Sequence, residues 1–420
     1  MKRFALIDVN SFYVSCELLF RPDLQGQAAV VLSNNDGCII ARNAQAKKLG
    51  LKMGEPYFQR RAFLEHHNVN VFSSNYALYA DMSARVMQVI HGEVCDAEVY
   101  SIDESWADLD GISGSLEVFG RHLKQKVYRE VGLPVGIGIS TTKTLAKLAQ
   151  WASKTWPATG GVVDLTDPER QEKLMRLAPI GEIWGIGRQL GGQLGLMNID
   201  TAWQLAQYDH KSLRKMFNVN VERTARELSG EACLKLHHSP PPRQEIMKSC
   251  MFGRRIQSLD ELRQAAASYA TGAAEKLRGQ RSLCQRIGVS LQTGMHETPS
   301  RRYYNATEVS LSNPSDDTRL LISAALGGLE RIFRPGFNYA KCSVRLSNLH
   351  QRGEFTPDLF AEPQNESCDK LGAVMDLINL RYGKQAIHSA RLKRDPSWSM
   401  RRDLLSPAYT TAWGSLPVCE

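Results

Sequence analysis

The chain reads as a multidomain α/β protein, and three features point that way. Its 420 residues exceed what a single core of ordinary size holds, so two to four domains are expected. Short apolar or β-branched runs, FALIDV at 4–9, AAVVLS at 28–33 and PVGIGIS at 134–140, are separated by stretches with helical spacing. Beyond residue 243 the order strand, helix, strand, strand, helix, strand is the split βαβ arrangement.

Residues 76–90, YALYADMSARVMQVI, place Leu78, Met82, Val86 and Val89 at helical intervals. EVYSIDESWADLD at 98–110 is strand-like on either side of a tight SIDE tetrapeptide. After PVGIGIS, Ser140 or Thr141 can cap a helix whose Leu145, Leu148, Ala149 and Ala152 form an apolar stripe, with Lys143, Lys147 and Lys154 on another face. That helix stops before Pro157 and Gly160, and residues 167–235 look helical with short loops. SPPPR at 239–243 has the composition of a stiff linker. Strands are then expected at 244–256, 284–293, 304–312 and 338–348, and helices at 259–278 and 316–333. Ile287, Val289 and Leu291 alternate with Arg286, Gly288, Ser290 and Gln292, as a sheet with one covered and one open face requires. Lys341 and Arg345 would join Arg286 on the open face. Residues 351–420 read as loop-rich, basic toward the end and without a core of their own.

Hydrophobic residues at 43% and charged residues at 23% exclude a disordered tail or a coiled coil. The net charge of +8 favours a polyanionic partner, and residues 243–350 hold 16 Lys/Arg against 9 Asp/Glu, nearly the whole excess. Nine scattered cysteines without a CxxC pair indicate neither a zinc site nor a disulfide framework. Asp8 and Asn10 interrupt the first apolar run too early for a signal peptide, and no run of about 18 apolar residues could cross a membrane. A reducing cytoplasm is the expected compartment.

Three carboxylates stand out. Asp8 sits near the end of one strand, and Asp103 and Glu104 lie in SIDE, where all three could meet at one sheet edge. Phosphoryl chemistry on a nucleotide needs such oxygen ligands for Mg²⁺, and two ions can clamp the attacking and leaving oxygens of an in-line displacement. Ser101-x-x-Glu104 is equally the spacing of a helix capping box, although SWADLDGI after it suits a short strand and turn better than a helix. WGIGRQL at 184–190 fits a helix-hairpin-helix in which Gly185 and Gly187 let the backbone approach a phosphate, and also fits a plain αα-turn. Taken alone, the lysines at 143, 147 and 154 read as a solvated helix face, and Phe12 and Tyr13 as core residues opening a helix.

IDVNSFYVSCE, YSIDE, GIGISTTKTLAKLA, SKTWP and the hairpin together resemble the Y-family translesion DNA polymerases, in matching order over roughly residues 1–350. FRPDLQGQAAVVLSNNDGCIIARN, WPATGGVVDL, ERTARELSGEAC and LLSPAYTT resemble in particular the catalytic subunits of the DNA polymerase V or UmuC type, plasmid-borne relatives included. The resemblance implies error-prone, template-directed deoxynucleotidyl transfer during the DNA damage (SOS) response. It implies a palm at 1–12 and 77–166, fingers at 13–76, a thumb at 167–235, a little finger at 243–350 and a partner-binding tail at 351–420. Asp8, Asp103, Glu104 and the Val9 carbonyl then match the ligands of two Mg²⁺ ions. Tyr13 matches a steric gate against a ribose 2′-OH, with Phe12 beside it, and Lys154 matches the lysine that holds the incoming deoxynucleoside triphosphate.

Two departures from the family pattern matter. Where many members have Tyr-x-x-Arg in the fingers, this chain has Ala44-Gln45-Ala46-Lys47, and Lys47 supplies charge without a bidentate fork. Cys38 and Ile40 fall where the fingers roof the nascent base pair. A sliding-clamp peptide keeps Leu359 and Phe360 but has Thr356 at the usual glutamine position. The tail implies a UmuD′-like dimer and a RecA filament as partners, besides primer-template DNA bound through Gly185, Gly187, Arg286, Lys341 and Arg345. A two-metal cyclase or nuclease would share the carboxylates but needs no duplex grip, and a silent DNA-binding scaffold needs none of the three.

Overall fold

The computed structural model describes residues 2–237, 241–295, 297–356, 358, 360, 366–383, 386–390, 392, 396–412 and 414. The linker expected at 239–243 therefore lies partly outside the described residues. The chain falls into two compact units, Met1–Ser33 with Gly37–Pro240 and Leu404–Glu420, and Asn34–Asp36 with Pro241–Asp403.

In the first unit, β1 (Phe4–Val9) is buried along its whole length, as its unbroken apolar run requires. A helix α1 (Phe12–Leu19) follows after the two-residue turn Asn10-Ser11. Strands β2 (Ala29–Leu32), β3 (Ile39–Arg42) and, after α2 (Ala44–Lys48) and α3 (Tyr57–His66), β4 (Asn70–Ser73) make a small sheet of order β3-β2-β4. Val30, Leu32, Ile39 and Leu64 form its own core. Helix α4 (Tyr76–His91) buries Leu78, Met82 and Val86, three of the four residues whose spacing predicts it. The strand-like stretch at 98–110 is a hairpin of β5 (Asp96–Val99) and β6 (Glu104–Asp108).

After α5 (Leu116–Val131), β7 (Val135–Ser140), α6 (Lys143–Thr155) and β8 (Val162–Asp164) complete a five-stranded sheet of order β5-β6-β1-β7-β8. The cap of α6 is Thr142 rather than Ser140 or Thr141: its hydroxyl accepts from Leu145 N, while Ser140 donates to Leu165 O at 3.0 Å. Alternation along β1 sends Ala5, Ile7 and Val9 into one core with α4 and α5, and Phe4 and Leu6 against Trp106 and Ala146 of α6. Residues 168–228 are five short helices, α7 (Pro168–Leu177), α8 (Arg188–Gly195), α9 (Ala202–Gln207), α10 (His210–Met216) and α11 (Val219–Leu228), around Leu174, Ile183, Leu194 and Leu205.

The second unit is one antiparallel sheet covered by two helices. Strand β9 (Ile246–Ile256), helix α12 (Leu259–Gly279), strands β10 (Ser282–Thr293) and β11 (Tyr304–Ser315), helix α13 (Thr318–Ile332) and strand β12 (Tyr339–Gln351) follow in the expected order. The sheet order is β11-β10-β12-β9. Ile287, Val289 and Leu291 are buried under the helices, and Pro314 is tolerated because β11 is an edge strand. The loop-rich reading of residues 351–420 needs one correction, since Glu366–Tyr382 form a helix, α14. Its clearest anchor is a partner far off in sequence: Asp376 accepts two bonds from Arg278 of α12, at 2.6 and 2.8 Å.

Candidate active site

Asp8 and Glu104 are register neighbours on β1 and β6, and Val9 N donates to Asp103 O at 2.9 Å, so pairing of the two strands brings SIDE to the end of β1. Ser101 Oγ accepts from Glu104 N at 3.0 Å, which is the bond of a capping box, yet Glu104 begins a strand. The same hydroxyl donates to Asp103 Oδ1 at 2.6 Å and so holds this tight turn.

Helix α6 supplies the opposite charge. Lys143, Lys147 and Lys154 lie four and seven residues apart, hence on one face, and that face meets the acidic sheet rather than solvent. Lys143, only 3% exposed, reaches Glu98 at 2.5 Å; Lys147 reaches both oxygens of Glu104 at 2.9 Å; Lys154 reaches Asp8 Oδ1 at 2.6 Å. The solvated-face reading of these lysines is therefore overturned. Burial pushes the Asp8 carboxyl up to about 7, with Glu104 adding to the rise and Lys154 opposing it.

Between β1 and the small sheet lies a cavity of about 330 Å³, lined by Asp8, Val9, Phe12, Tyr13, Asp103 and Lys154 and by Ile40, Arg42, Lys47 and Met53. Ser11, at φ 48°, occupies the left-handed region with no side-chain cap, a conformation that turns the chain sharply from β1 into α1 and so presents Phe12 and Tyr13 to the cavity. The core reading holds for Phe12, which is buried; Tyr13 is half-buried, and its ring stacks on Tyr79 at 4.5 Å. Burial pushes the Lys47 ammonium down, and the charges of Arg42 and Lys154 push the same way, so three cations share this wall. Arg42 escaped the sequence reading although a signal existed, since it lies two residues from Ile40 and thus on the same face of β3. Cys38 is not among the residues that line the cavity.

The remaining expected residues lie elsewhere. Gly185 has φ 86°, which favours glycine, while Gly187 is extended and caps α8. Trp184 anchors this hairpin against Trp106, ring centroids 5.7 Å apart, and lies 5.7 Å from Lys147. In the second unit, Gln292 pairs with Lys341 and Gly288 with Arg345, which with Arg286 share the face opposite the helices. Arg345 passes over Gly288, where no Cβ blocks it, to ion-pair with Glu308, and it also meets Glu245 at 3.6 Å. The open face is thus less positive than its arginines and lysines suggest. Phe360 is fully exposed, and Leu359 lies outside the described residues.

Profiles of known families match most of the chain: the impB/mucB/samB family over residues 7–150, its C-terminal domain over 243–359, and a domain of unknown function (DUF4113) over 369–419. Among solved structures, a Y-family DNA polymerase chimera of Dbh and Dpo4 has the same fold, with a TM-score of 0.66 at 19% identity over 83% of this chain and 99% of that one. MucB of Salmonella typhimurium is 48% identical over 418 residues, covering 99% of each chain. UmuC of Salmonella typhimurium strain LT2 is 44% identical over 418 residues, covering 98% of this chain and 99% of the other. The chain belongs to the impB/mucB/samB family of Y-family DNA polymerases.

A Y-family polymerase uses divalent metal, and the donor set here suits it: three hard carboxylates on adjacent strand ends, with backbone beside them. Among the described residues no three such side chains converge as a finished cage. Asp8 and Glu104 pair with Lys154 and Lys147. No helix among the described residues is long and apolar enough to cross a membrane.

Proposed function

We propose that this polymerase copies damaged DNA templates with low fidelity, and that the cavity beneath the small sheet holds the incoming deoxynucleoside triphosphate. The observation that carries the reading is the charge of that cavity: carboxylates Asp8 and Asp103 with Lys154 beside Asp8, and Arg42 and Lys47 from the small sheet and the helix after it. The reaction forms a bond from the primer 3′ oxygen to the α-phosphorus and releases pyrophosphate. Asp8, Asp103, Glu104 and the Val9 carbonyl are the groups that would hold two Mg²⁺ ions, with Glu104 nearest the primer. Bound there, the ions supply the charge that clamps the attacking and leaving oxygens. Lys154, which lines the cavity beside Asp8, is the cation that would hold the triphosphate.

Tyr13 is the gate against ribose, a ring that excludes a 2′-hydroxyl by occupying its space. In this reading residues 1–12 and 77–166 are the palm, 13–76 the fingers, 167–235 the thumb and 243–350 the little finger. The hairpin at Gly185 and Gly187 and the face with Arg286, Lys341 and Arg345 track duplex phosphates without reading bases. The tail at 351–420 receives a UmuD′-like dimer and a RecA filament, and Leu359 with Phe360 touches a sliding clamp. The test is primer extension past a defined lesion, with and without UmuD′ and RecA. Extension that stops at the lesion under every condition would overturn the bypass reading.

A further inference from the structure

The end of the chain is built into the wall behind Tyr13. Leu404 and Ser73 exchange two hydrogen bonds, Ser73 N to Leu404 O at 2.9 Å and Leu404 N to Ser73 Oγ at 3.0 Å. Asn75 Nδ2 donates to Ser406 Oγ at 2.9 Å, to Pro407 O at 3.2 Å and to Ser406 O at 3.3 Å. Asn75 also caps α4, accepting from Leu78 N, and its own carbonyl receives Tyr79 N at 3.0 Å. The residue that starts the Tyr79 helix is therefore the residue that grips the tail. Tyr409 completes the contact by stacking on Phe20 at 4.6 Å, with the rings 9° apart.

A buried carboxylate anchors the same tyrosine from the other side. Glu17 of α1 is fully buried, and its Oε1 accepts from the Tyr79 hydroxyl at 2.6 Å. Its Oε2 is buried without a hydrogen bond, so the Tyr79 hydroxyl is the side-chain partner that holds this carboxylate. Tyr79 in turn stacks on Tyr13, 4.5 Å between centroids and 21° between planes. Tyr79 does not line the nucleotide cavity, and Glu17 and Ser406 do not either.

We propose that the segment 404–409 positions the sugar gate, acting through Ser406, Asn75 and Tyr79 on the ring of Tyr13, and so sets how strictly the polymerase rejects ribonucleotides. The proposal rests on the reading of Tyr13 as the gate. It assigns a task to part of the domain of unknown function matched over residues 369–419. Ser406 and Tyr79 are positioning residues, since neither touches the nucleotide site. A stacked ring with its neighbour unanchored can tilt, and a tilt opens space at the 2′ position without removing any group that binds the triphosphate.

The experiment compares the full-length chain with Tyr79→Phe, Ser406→Ala, Ser406→Thr and Tyr13→Ala, reading kcat/KM for a ribonucleotide and for the matching deoxynucleotide on one primer-template. Tyr79→Phe and Ser406→Ala each remove one hydroxyl, and their ribo-to-deoxy ratio rises about fivefold, the factor that corresponds to one ordinary hydrogen bond. Ser406→Thr keeps the hydroxyl and the ratio of the parent. Combined with Tyr13→Ala, neither change raises the ratio further, because the ring they position is gone. A ratio that stays at the parent value in Ser406→Ala and Tyr79→Phe, while Tyr13→Ala raises it, overturns the proposal and leaves the gate standing. A ratio unmoved by Tyr13→Ala overturns the gate and the proposal with it. Thermal melting of each variant separates these results from misfolding, and Ser406→Ala, a small change near the chain end, keeps the test open if Tyr79→Phe unfolds.

Discussion

At the scale of single residues, the site is a set of charges, each held by a specific partner. Asp103 has a hydroxyl partner, and Asp8 and Glu104 have lysines. Asp103→Ala should leave primer-template binding nearly intact and reduce nucleotide incorporation by several orders of magnitude, since several kcal/mol of charge stabilisation is lost with the metal site. A filter-binding assay alongside primer extension checks both halves; extension near the parent rate would remove Asp103 from the site. Glu17 gives a prediction of a different kind. Burial raises its carboxyl above the ordinary 4.5, so the folded chain keeps a proton that the unfolded chain has lost. Its contribution to stability therefore declines as pH rises from about 4.5 through the raised value. Glu17→Gln, which mimics the protonated form, should flatten the fall of Tm between pH 5 and pH 8 and be no less stable than the parent at pH 8. A Tm at pH 8 well below the parent's would show that the ionised carboxylate itself is needed.

Helix α6 is the element on which the site depends most. It lies so close to β7 that a Cβ at Gly138 would fall 2.1 Å from Gln150 N and 2.2 Å from Ala146 O, backbone atoms that cannot move without the helix. Gly138→Ala should therefore destabilise by about 1–3 kcal/mol or more and impair catalysis beyond what the loss of folded protein explains, because the helix lifts and takes Lys147 and Lys154 with it. Gly136→Ala would meet Ser153 Oγ at 2.9 Å, a side-chain atom that can give way, and should be milder. Urea unfolding and primer extension on the two variants check the contrast, which disappears if α6 is free to shift. Spacing alone showed that Lys143, Lys147 and Lys154 share a face. It could not show where the face points, because a helix with charged residues on one side looks the same whether that side meets water or a row of carboxylates.

For the molecule as a whole, the question is how a sequence-tolerant grip on DNA is shared out. Each phosphate contact that is removed should flatten the log–log dependence of affinity on salt by about 0.9. The structure grades the three candidates on the open sheet: Arg345 is already paired with Glu308 and Glu245, so Arg345→Ala should change the slope less than Arg286→Ala or Lys341→Ala. Salt titrations of the three single variants measure this, and equal slopes for all four proteins would mean that this face is only solvated. Residues 243–350, which carry the charge excess, should bind primer-template DNA as a separate fragment more tightly than residues 1–235 do.

Much of this molecule is decided locally, and that part the sequence alone determined. Alternation and helical spacing depend only on which residues are apolar, so β1, α4, α6 and the six elements from Ile246 to Gln351 appear where the pattern puts them. That Asp8 could meet Asp103 and Glu104 was legible as one of two readings; the capping-box alternative is removed only by the pairing of β1 with β6, which makes Glu104 the start of a strand. Other features depend on partners far along the chain. The lysine face of α6 acquires its meaning from Asp8, Glu98 and Glu104, and α14 is anchored to α12 through Arg278 and Asp376. The seat of Ser406 against Asn75, 331 residues earlier, belongs to the same class. Tertiary structure alone decides such features, because a charge or a hydroxyl has no fixed role until the fold brings it a partner and takes the water away.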